Sequence, residues 1–224
     1  MPHSAHLHAV RFYEDADSLC RIVGEFIAAG LEADEPAIVV ATPRHTELID
    51  ECLRKRGLDV AHLKRIGEYV TLDAQETLAT FMAGSVASAS AFHHHMGSQI
   101  QQMLRNREKT TIRVYGEMVD VLWKQGREAE AIRVETLWNE LANTHAFKLL
   151  CGYSIGNFYK GAAVEQIKQQ HSHLVNDTGR IAVAVRTLSV VTAHCVYQSS
   201  FDHSLPISTC GAEVAFRFAG SEED

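Results

Sequence analysis

The chain has no C-x-x-C pair, no uninterrupted apolar run of about 18 residues and no cluster of positive charge. Its five cysteines, Cys20, Cys52, Cys151, Cys195 and Cys210, are odd in number and widely spaced. That spacing excludes a disulfide framework and a zinc ribbon, and free thiols in a reducing compartment are the expectation. The missing apolar run excludes a membrane helix, and the opening MPHSAHLH lacks the charged-then-apolar order of a signal peptide. A cytoplasmic location is therefore expected. Lys and Arg number 21 against 28 Asp and Glu, for a formal charge of -7. Nucleic acid and anionic membranes call for a concentrated cationic surface, and the densest stretch, KRGLDVAHLKR, is too diluted to supply one. No H-E-x-x-H and no Cys/His quartet occurs, so neither a metal nor another cofactor is expected.

What is there is ordinary globular protein: 224 residues, 46% hydrophobic and 22% charged, enough for one packed domain with a small appendage. Read for period, strands and helices alternate. HAVRFY (8–13) is a short apolar run. DSLCRIVGEFIAAGL follows with apolar residues at helical spacing, and Asp17 is the expected N-cap. PAIVVAT (36–42) reads as a strand buried on both faces, TELIDECLRKRG as a helix closing at Gly57, and EYVTLD (68–73) as a third strand whose Asp73 caps AQETLATFMAG. SASAFHHHMGSQIQQMLRN is helical, TTIRVYGEM (110–118) a strand, EAEAIRVETLWNELANTH an amphipathic helix and FKLLCGY (147–153) a strand. AAVEQIKQQHSHLV is expected to be helical throughout. Strands spaced by helices of this length predict an α/β fold with a mostly parallel central sheet and helices on both faces. Residues 1–175 form the expected domain. Residues 176–224 form an extension in which AEVAFRF alternates like a strand.

In such a sheet, ligands bind outside the carboxyl ends of the strands. The first strand end carries YEDADSLC, with Glu14, Asp15 and Asp17, where a phosphate loop would need G-x-x-x-x-G-K-[ST]. Three carboxylates there repel a triphosphate by about 1 kcal/mol or more per close pair. Nucleotide hydrolysis is not expected. The run GEFIAAGLEADEPAIVVATPR nevertheless resembles the segment after the phosphate loop of RecA/KaiC-like ATPases. A fuller resemblance covers about residues 7–175: HAVRFYED, GLEADEPAIVVATPRH, GEYVTLDAQETLATFM, IRVYGEMVDVLWKQGREAEAIRVETLWNELA and LLCGYSIGNF, in that order, resemble the MEDS domain. This is the methanogen/methylotroph and dichloromethane-regulator sensory domain. The resemblance implies a RecA-like fold without a functional phosphate loop, in a sensory module of bacterial and archaeal signalling proteins that detects small hydrocarbon derivatives. Family modules are commonly followed by a histidine kinase, a PAS-type module or a helix-turn-helix. None is recognisable after residue 175, so the tail or a separate histidine kinase or transcriptional regulator is expected to read the signal.

Five residues are candidate ligand contacts. Tyr13 and Glu117 stand at strand ends, with Gly116 permitting close approach, although Glu117 also reads as a helix-start carboxylate favoured by the dipole. Cys151 and Tyr153 stand at the end of a central strand. A buried cysteine is most often a small hydrophobe, and a reactive one needs a lowered thiol pKa. His8 completes the set through its place in the HAVRFYED block. Strand periodicity puts His8 and Tyr13 on opposite faces. His171 and His173 suggest metal at first sight, but on a helix i and i+2 point about 200° apart and cannot share an ion. His93–His95 read as a solvated helix face, and Trp123 and Trp138 as core. The favoured reading is a ligand sensor rather than an enzyme. The alternatives are a residual RecA-like nucleotide-binding protein, a thiol-dependent activity at Cys151 and an adaptor that binds only protein.

Overall fold

The structure, a computed structural model, describes residues 7–183 apart from 85, 106, 108–110, 158–160 and 177. In chain order come β1 (His8–Tyr13), α1 (Ala16–Leu31), β2 (Ala37–Ala41), α2 (Pro43–Lys55), α3 (Val60–Arg65), β3 (Tyr69–Asp73) and α4 (Ala74–Phe81). A small hairpin, β4 (Met82–Ala83) and β5 (Val86–Ala87), leads to α5 (Ala89–Leu104), β6 (Ile112–Gly116), α6 (Met118–Lys124) and α7 (Glu128–Leu141). The described chain ends with β7 (Phe147–Ser154), α8 (Gly161–Gln170), β8 (His173–Val175) and β9 (Ile181–Val183). AEVAFRF, Cys195 and Cys210 lie outside the described residues.

Seven strands form one sheet in the order β3-β2-β6-β7-β1-β8-β9. All neighbours are parallel except β8 and β9. The arrangement is the expected α/β one and is consistent with a RecA-like layout. AIVVA is buried at every position, as a central parallel strand covered on both faces should be. Even-numbered β1 residues and odd-numbered β7 residues face a core built with α4 to α7, which holds Val10, Leu149, Cys151 and Tyr153. Their neighbours face a second core with α1, α2 and α3, which holds Ala9, Tyr13, Tyr115 and Leu150. In the first core Trp138 sits edge-on to Phe92 at 5.1 Å and packs on Phe147 at 5.7 Å. Truncating such a buried tryptophan to alanine costs about 3–5 kcal/mol.

Local chemistry sets the ends of the elements. Helix α1 starts one residue before Asp17, so Asp15 and not Asp17 is its N-cap, accepting from Ser18 N–H at 2.7 Å. Asp73 caps α4 through Gln75 and Glu76 N–H. Pro43 opens α2, where its missing N–H costs nothing, and Gly57 turns the chain out of that helix at φ +85°. Gly30 has a packing role: a Cβ there would lie 2.6 Å from Arg113 Cδ. Arg113 crosses the helix at that point to reach Phe26 O at 2.9 Å and Glu35 Oε2 at 2.8 Å.

One expected element divides. Helix α8 stops at Gln170, and His173–Val175 form β8 beside β1. Ser172 makes the change of direction: its N–H and hydroxyl both donate to His8 O, at 2.8 and 3.0 Å. The periodicity of QQHSHLV cannot distinguish the last turn of a helix from a three-residue strand, and pairing with β1 decides it. The sheet then continues through β9, beyond residue 175.

Candidate functional site

At the carboxyl edge of the sheet, β2, β6 and β7 end beside the first turns of α2 and α6. Gly116 closes β6, and the next residue, Glu117, is only 2% exposed. Glu117 occupies the N-cap position of α6 but makes no capping bond there. Its carboxylate reaches across to α2 instead: Oε1 accepts from Thr42 N–H, and Oε2 lies 2.6 Å from His45 Nδ1 and accepts from Tyr115 hydroxyl at 3.1 Å. A carboxylate so placed also faces the positive end of the α2 dipole.

A second buried acid, Asp120, is one turn along. Its Oδ1 accepts from Ser154 N–H at 2.9 Å, and its Oδ2 accepts from Tyr13 hydroxyl at 2.8 Å and pairs with Lys124 Nζ at 2.6 Å. Burial, with Asp120 and Glu117 close by, pushes the Tyr13 phenol far above its usual range, so it remains a donor. Between these groups opens a cleft of about 310 Å³, lined in part by Thr42, Arg44, His45, Gln75, Glu117 and Lys124. Cations and hydrogen-bonding groups thus converge on a space of ligand size.

The phosphate position is filled differently. In a nucleotide-binding α/β protein the pyrophosphate sits on the N–H groups opening the helix after β1. Here Asp15 turns its own carboxylate onto that end of α1.

A separate buried group lies nearer the amino end of the sheet, on the α7 side. Glu135 of α7 is completely buried. Its Oε2 lies 3.1 Å from His8 Nε2 and 3.4 Å from Cys151 Sγ, and its Oε1 accepts from Tyr153 hydroxyl at 2.8 Å. His171 Nε2 is 3.4 Å from Oε1 yet makes no hydrogen bond. The rings of His8 and His171 stack at 4.2 Å. Burial disfavours the Glu135 carboxylate, but His171 and His8 outweigh it and hold the carboxyl well below the ordinary range. Burial, together with the charge of Glu135, pushes the Cys151 thiol well up. A fully buried thiol of raised pKa is a poor nucleophile, which weighs against thiol chemistry at Cys151.

A family model, MEDS (MEthanogen/methylotroph, DcmR Sensory domain), matches residues 7–172. The chain belongs to the MEDS family. No curated protein matches it. As a MEDS sensory domain the chain has a sensing role, and no helix among its described residues is long and apolar enough to cross a membrane.

Within this MEDS domain the five residues singled out from sequence divide into two groups. Glu117 lines the cleft, and Tyr13 stands behind Asp120. His8, Cys151 and Tyr153 meet around Glu135 in the other core. His171 and His173 are separated, as the spacing argument required, but the cause is the end of α8 rather than opposite helix faces. His171 turns inward and His173 is only half-buried. Sequence reasoning passed over Asp120, Lys124, Glu135 and the inward turn of His171, whereas His45 lies in the stretch past the second strand to which the strand-end rule points. Two signals were available. Asp120 interrupts the apolar run MVDVLW, and Glu135 lies four residues after Ala131, on the apolar stripe of α7, where an unpartnered carboxylate would be costly.

Proposed function

We propose that the chain is a ligand-sensing module that binds a small hydrocarbon derivative in the cleft at the carboxyl edge of the sheet. Its bound state is relayed to a partner histidine kinase or transcriptional regulator. The observation that carries this reading is the cleft itself, a space of about 310 Å³ at the strand ends where ligands of open parallel sheets bind. Arg44, His45, Gln75, Glu117 and Lys124 favour a derivative with a hydroxyl, carbonyl or amino group over a bare hydrocarbon. Glu117 is the proposed acceptor for the ligand, while Tyr13 sets the orientation of Asp120 and, through it, of Lys124.

The relay follows from the same bonds. Asp120 ties α6 to the end of β7 and to β1. A ligand that engages Lys124 or Asp120 competes with those ties and favours a second position of α6 in proportion to its preference for it.

A thermal-shift series on the purified chain tests the reading, with methanol, formaldehyde, methylamine, dichloromethane and magnesium ATP as probes. A ligand of the folded state at a hundred times its Kd stabilises by about 2.7 kcal/mol. Stabilisation by a small organic probe that Lys124→Met abolishes supports the cleft. Stabilisation by magnesium ATP alone, or by none of the probes, contradicts the proposal.

A further inference from the structure

The interior group around Glu135 presents four donor atoms. His8 Nε2, a Glu135 oxygen, Cys151 Sγ and His171 Nε2 all lie within 4.8 Å of one another. We propose that they form a closed site for one divalent transition-metal ion of the zinc class, ligated by two imidazoles, one carboxylate and one thiolate.

The hydrogen bonds outside the cluster decide how the imidazoles face it. Asn139 Nδ2 donates to Gln170 O at 3.0 Å, which fixes the amide, so Asn139 Oδ1 accepts from His8 Nδ1 at 2.9 Å. His171 Nδ1 donates to Ile167 O at 2.7 Å, and a carbonyl can only accept. With a proton held on Nδ1 in each ring, Nε2 is the atom that faces the Glu135 carboxylate and Cys151 Sγ. Nitrogen, sulfur and carboxylate oxygen atoms converging in a dry interior call for a cation among them, either an imidazolium proton or a metal ion. A second ring nitrogen donating to a carbonyl or amide oxygen is also the arrangement that orients histidine ligands of metal ions. Tyr153 does the same for Glu135, holding Oε1 so that Oε2 faces His8 and Cys151.

Four of the separations lie close to those of a ligand set, while the widest, within 4.8 Å, must draw closer on loading. Ligands at about 2.0–2.3 Å in a tetrahedron stand about 3.3–3.8 Å apart. His8 Nε2 and Glu135 Oε2 are 3.1 Å apart, and Cys151 Sγ is 3.4 Å from each of them. His171 Nε2 is 3.4 Å from the same carboxylate. Charge fits as well, because a dication with one carboxylate and one thiolate is neutral overall, which a buried site favours. Mixed nitrogen, oxygen and sulfur donors in a tetrahedron select zinc over magnesium or calcium. On loading, the Cys151 S–H bond breaks, a sulfur–metal bond forms and the proton leaves to solvent; no electron changes hands. All four positions come from protein, so the ion is a staple and not a catalyst. It would join β1, α7, β7 and the turn after α8, drawing together residues from 8 to 171.

The test uses the full chain, stripped of metal by chelator in denaturant and refolded with cobalt(II) alone. The expected result is one bound cobalt per chain, with intense tetrahedral d–d bands and a sulfur-to-cobalt charge-transfer band. That band should vanish in Cys151→Ser and persist in Cys20→Ser and in a His93/His94/His95→Ala triple variant. Where Cys151→Ser does not refold, thiol alkylation of the parent near its unfolding midpoint decides, because cobalt should slow labelling of Cys151 through ligation as well as through stabilisation of the fold, and so more than it slows labelling of Cys20 and Cys52. No bound cobalt, cobalt without a sulfur band, a band lost in the triple histidine variant, or alkylation of Cys151 slowed no more than that of Cys20 and Cys52 overturns the site. A purely hydrogen-bonded imidazolium–carboxylate cluster would give the first of these results.

Discussion

Replacing Glu117 by Gln tests whether this carboxylate holds the site together. The side chain is 2% exposed and serves three groups: Thr42 N–H, His45 Nδ1 and Tyr115 hydroxyl. The amide keeps one acceptor oxygen, which Thr42 can retain. It turns an NH₂ toward His45 and Tyr115, so the phenol must rotate to accept and the His45 contact is lost. A hydrogen bond to a charged group contributes about 1.5–3 kcal/mol, and an unsatisfied buried partner costs about 1–3 kcal/mol. Losing one such bond with partial repair of the other gives a destabilisation of about 2 kcal/mol. For a chain of this size that lowers Tm by about 4–8 °C. Glu117→Ala removes all three partners and should cost about twice as much. Urea unfolding followed by tryptophan fluorescence reads both variants, with slopes compared to check that unfolding stays two-state. A Glu117→Gln protein as stable as the parent would refute the claim that Glu117 anchors the start of α2.

Three further outcomes follow from other contacts. A Cβ on Gly152 would lie 2.7 Å from Tyr115 hydroxyl, so Gly152→Ala should destabilise by about 1–3 kcal/mol through overpacking. Adding Tyr115→Phe should recover part of that loss in a double-mutant cycle, and strict additivity of the two changes would contradict the contact. Burial, reinforced by Glu117, pushes the Cys20 thiol up to about 12. Iodoacetamide at pH 8 should therefore leave Cys20 and Cys151 unmodified in the native chain and label both after unfolding, and fast native labelling of either would contradict their burial. Partial burial opposes the Glu35 carboxylate, but bonds from Lys148 and Arg113 outweigh it and hold its carboxyl below 4.5. A depressed folded value means that its contribution is complete above 4.5 and fades as pH falls below that point. Glu35→Gln should flatten that acid limb of the stability curve, and an unchanged limb would show that the triad contributes nothing.

Much of the architecture could be read from local pattern. AIVVA has no polar face, and only a strand covered on both sides accommodates it. Asp73 and Gly57 mark their helix ends by chemistry that acts within a few residues. The failures are equally physical. Asp15 and Asp17 are both sound caps by type, and the register of α1 chose the former. HSHLV continues a helical pattern until β1 offers it a pairing partner. For the site, the rule that ligands gather at strand ends pointed to Tyr13, Glu117 and the stretch Thr42 to His45, whereas the bonds that join them were hidden by distance along the chain. Thr42 and His45 lie more than seventy residues before Glu117. Nothing local to His8, Glu135, Cys151 or His171 announces that four elements carry them to one point.

The most direct test of the sensory account is a set of amide chemical-shift spectra of the labelled chain, titrated with the same small organic probes and with magnesium ATP. The account predicts that at least one organic probe shifts the amides of Thr42, Glu117, Asp120 and Ser154 with saturating dose dependence, while magnesium ATP leaves the turn at Glu14 and Asp15 unmoved. Saturable ATP shifts centred on that turn, or organic probes whose shifts cluster away from the carboxyl edge, would contradict it.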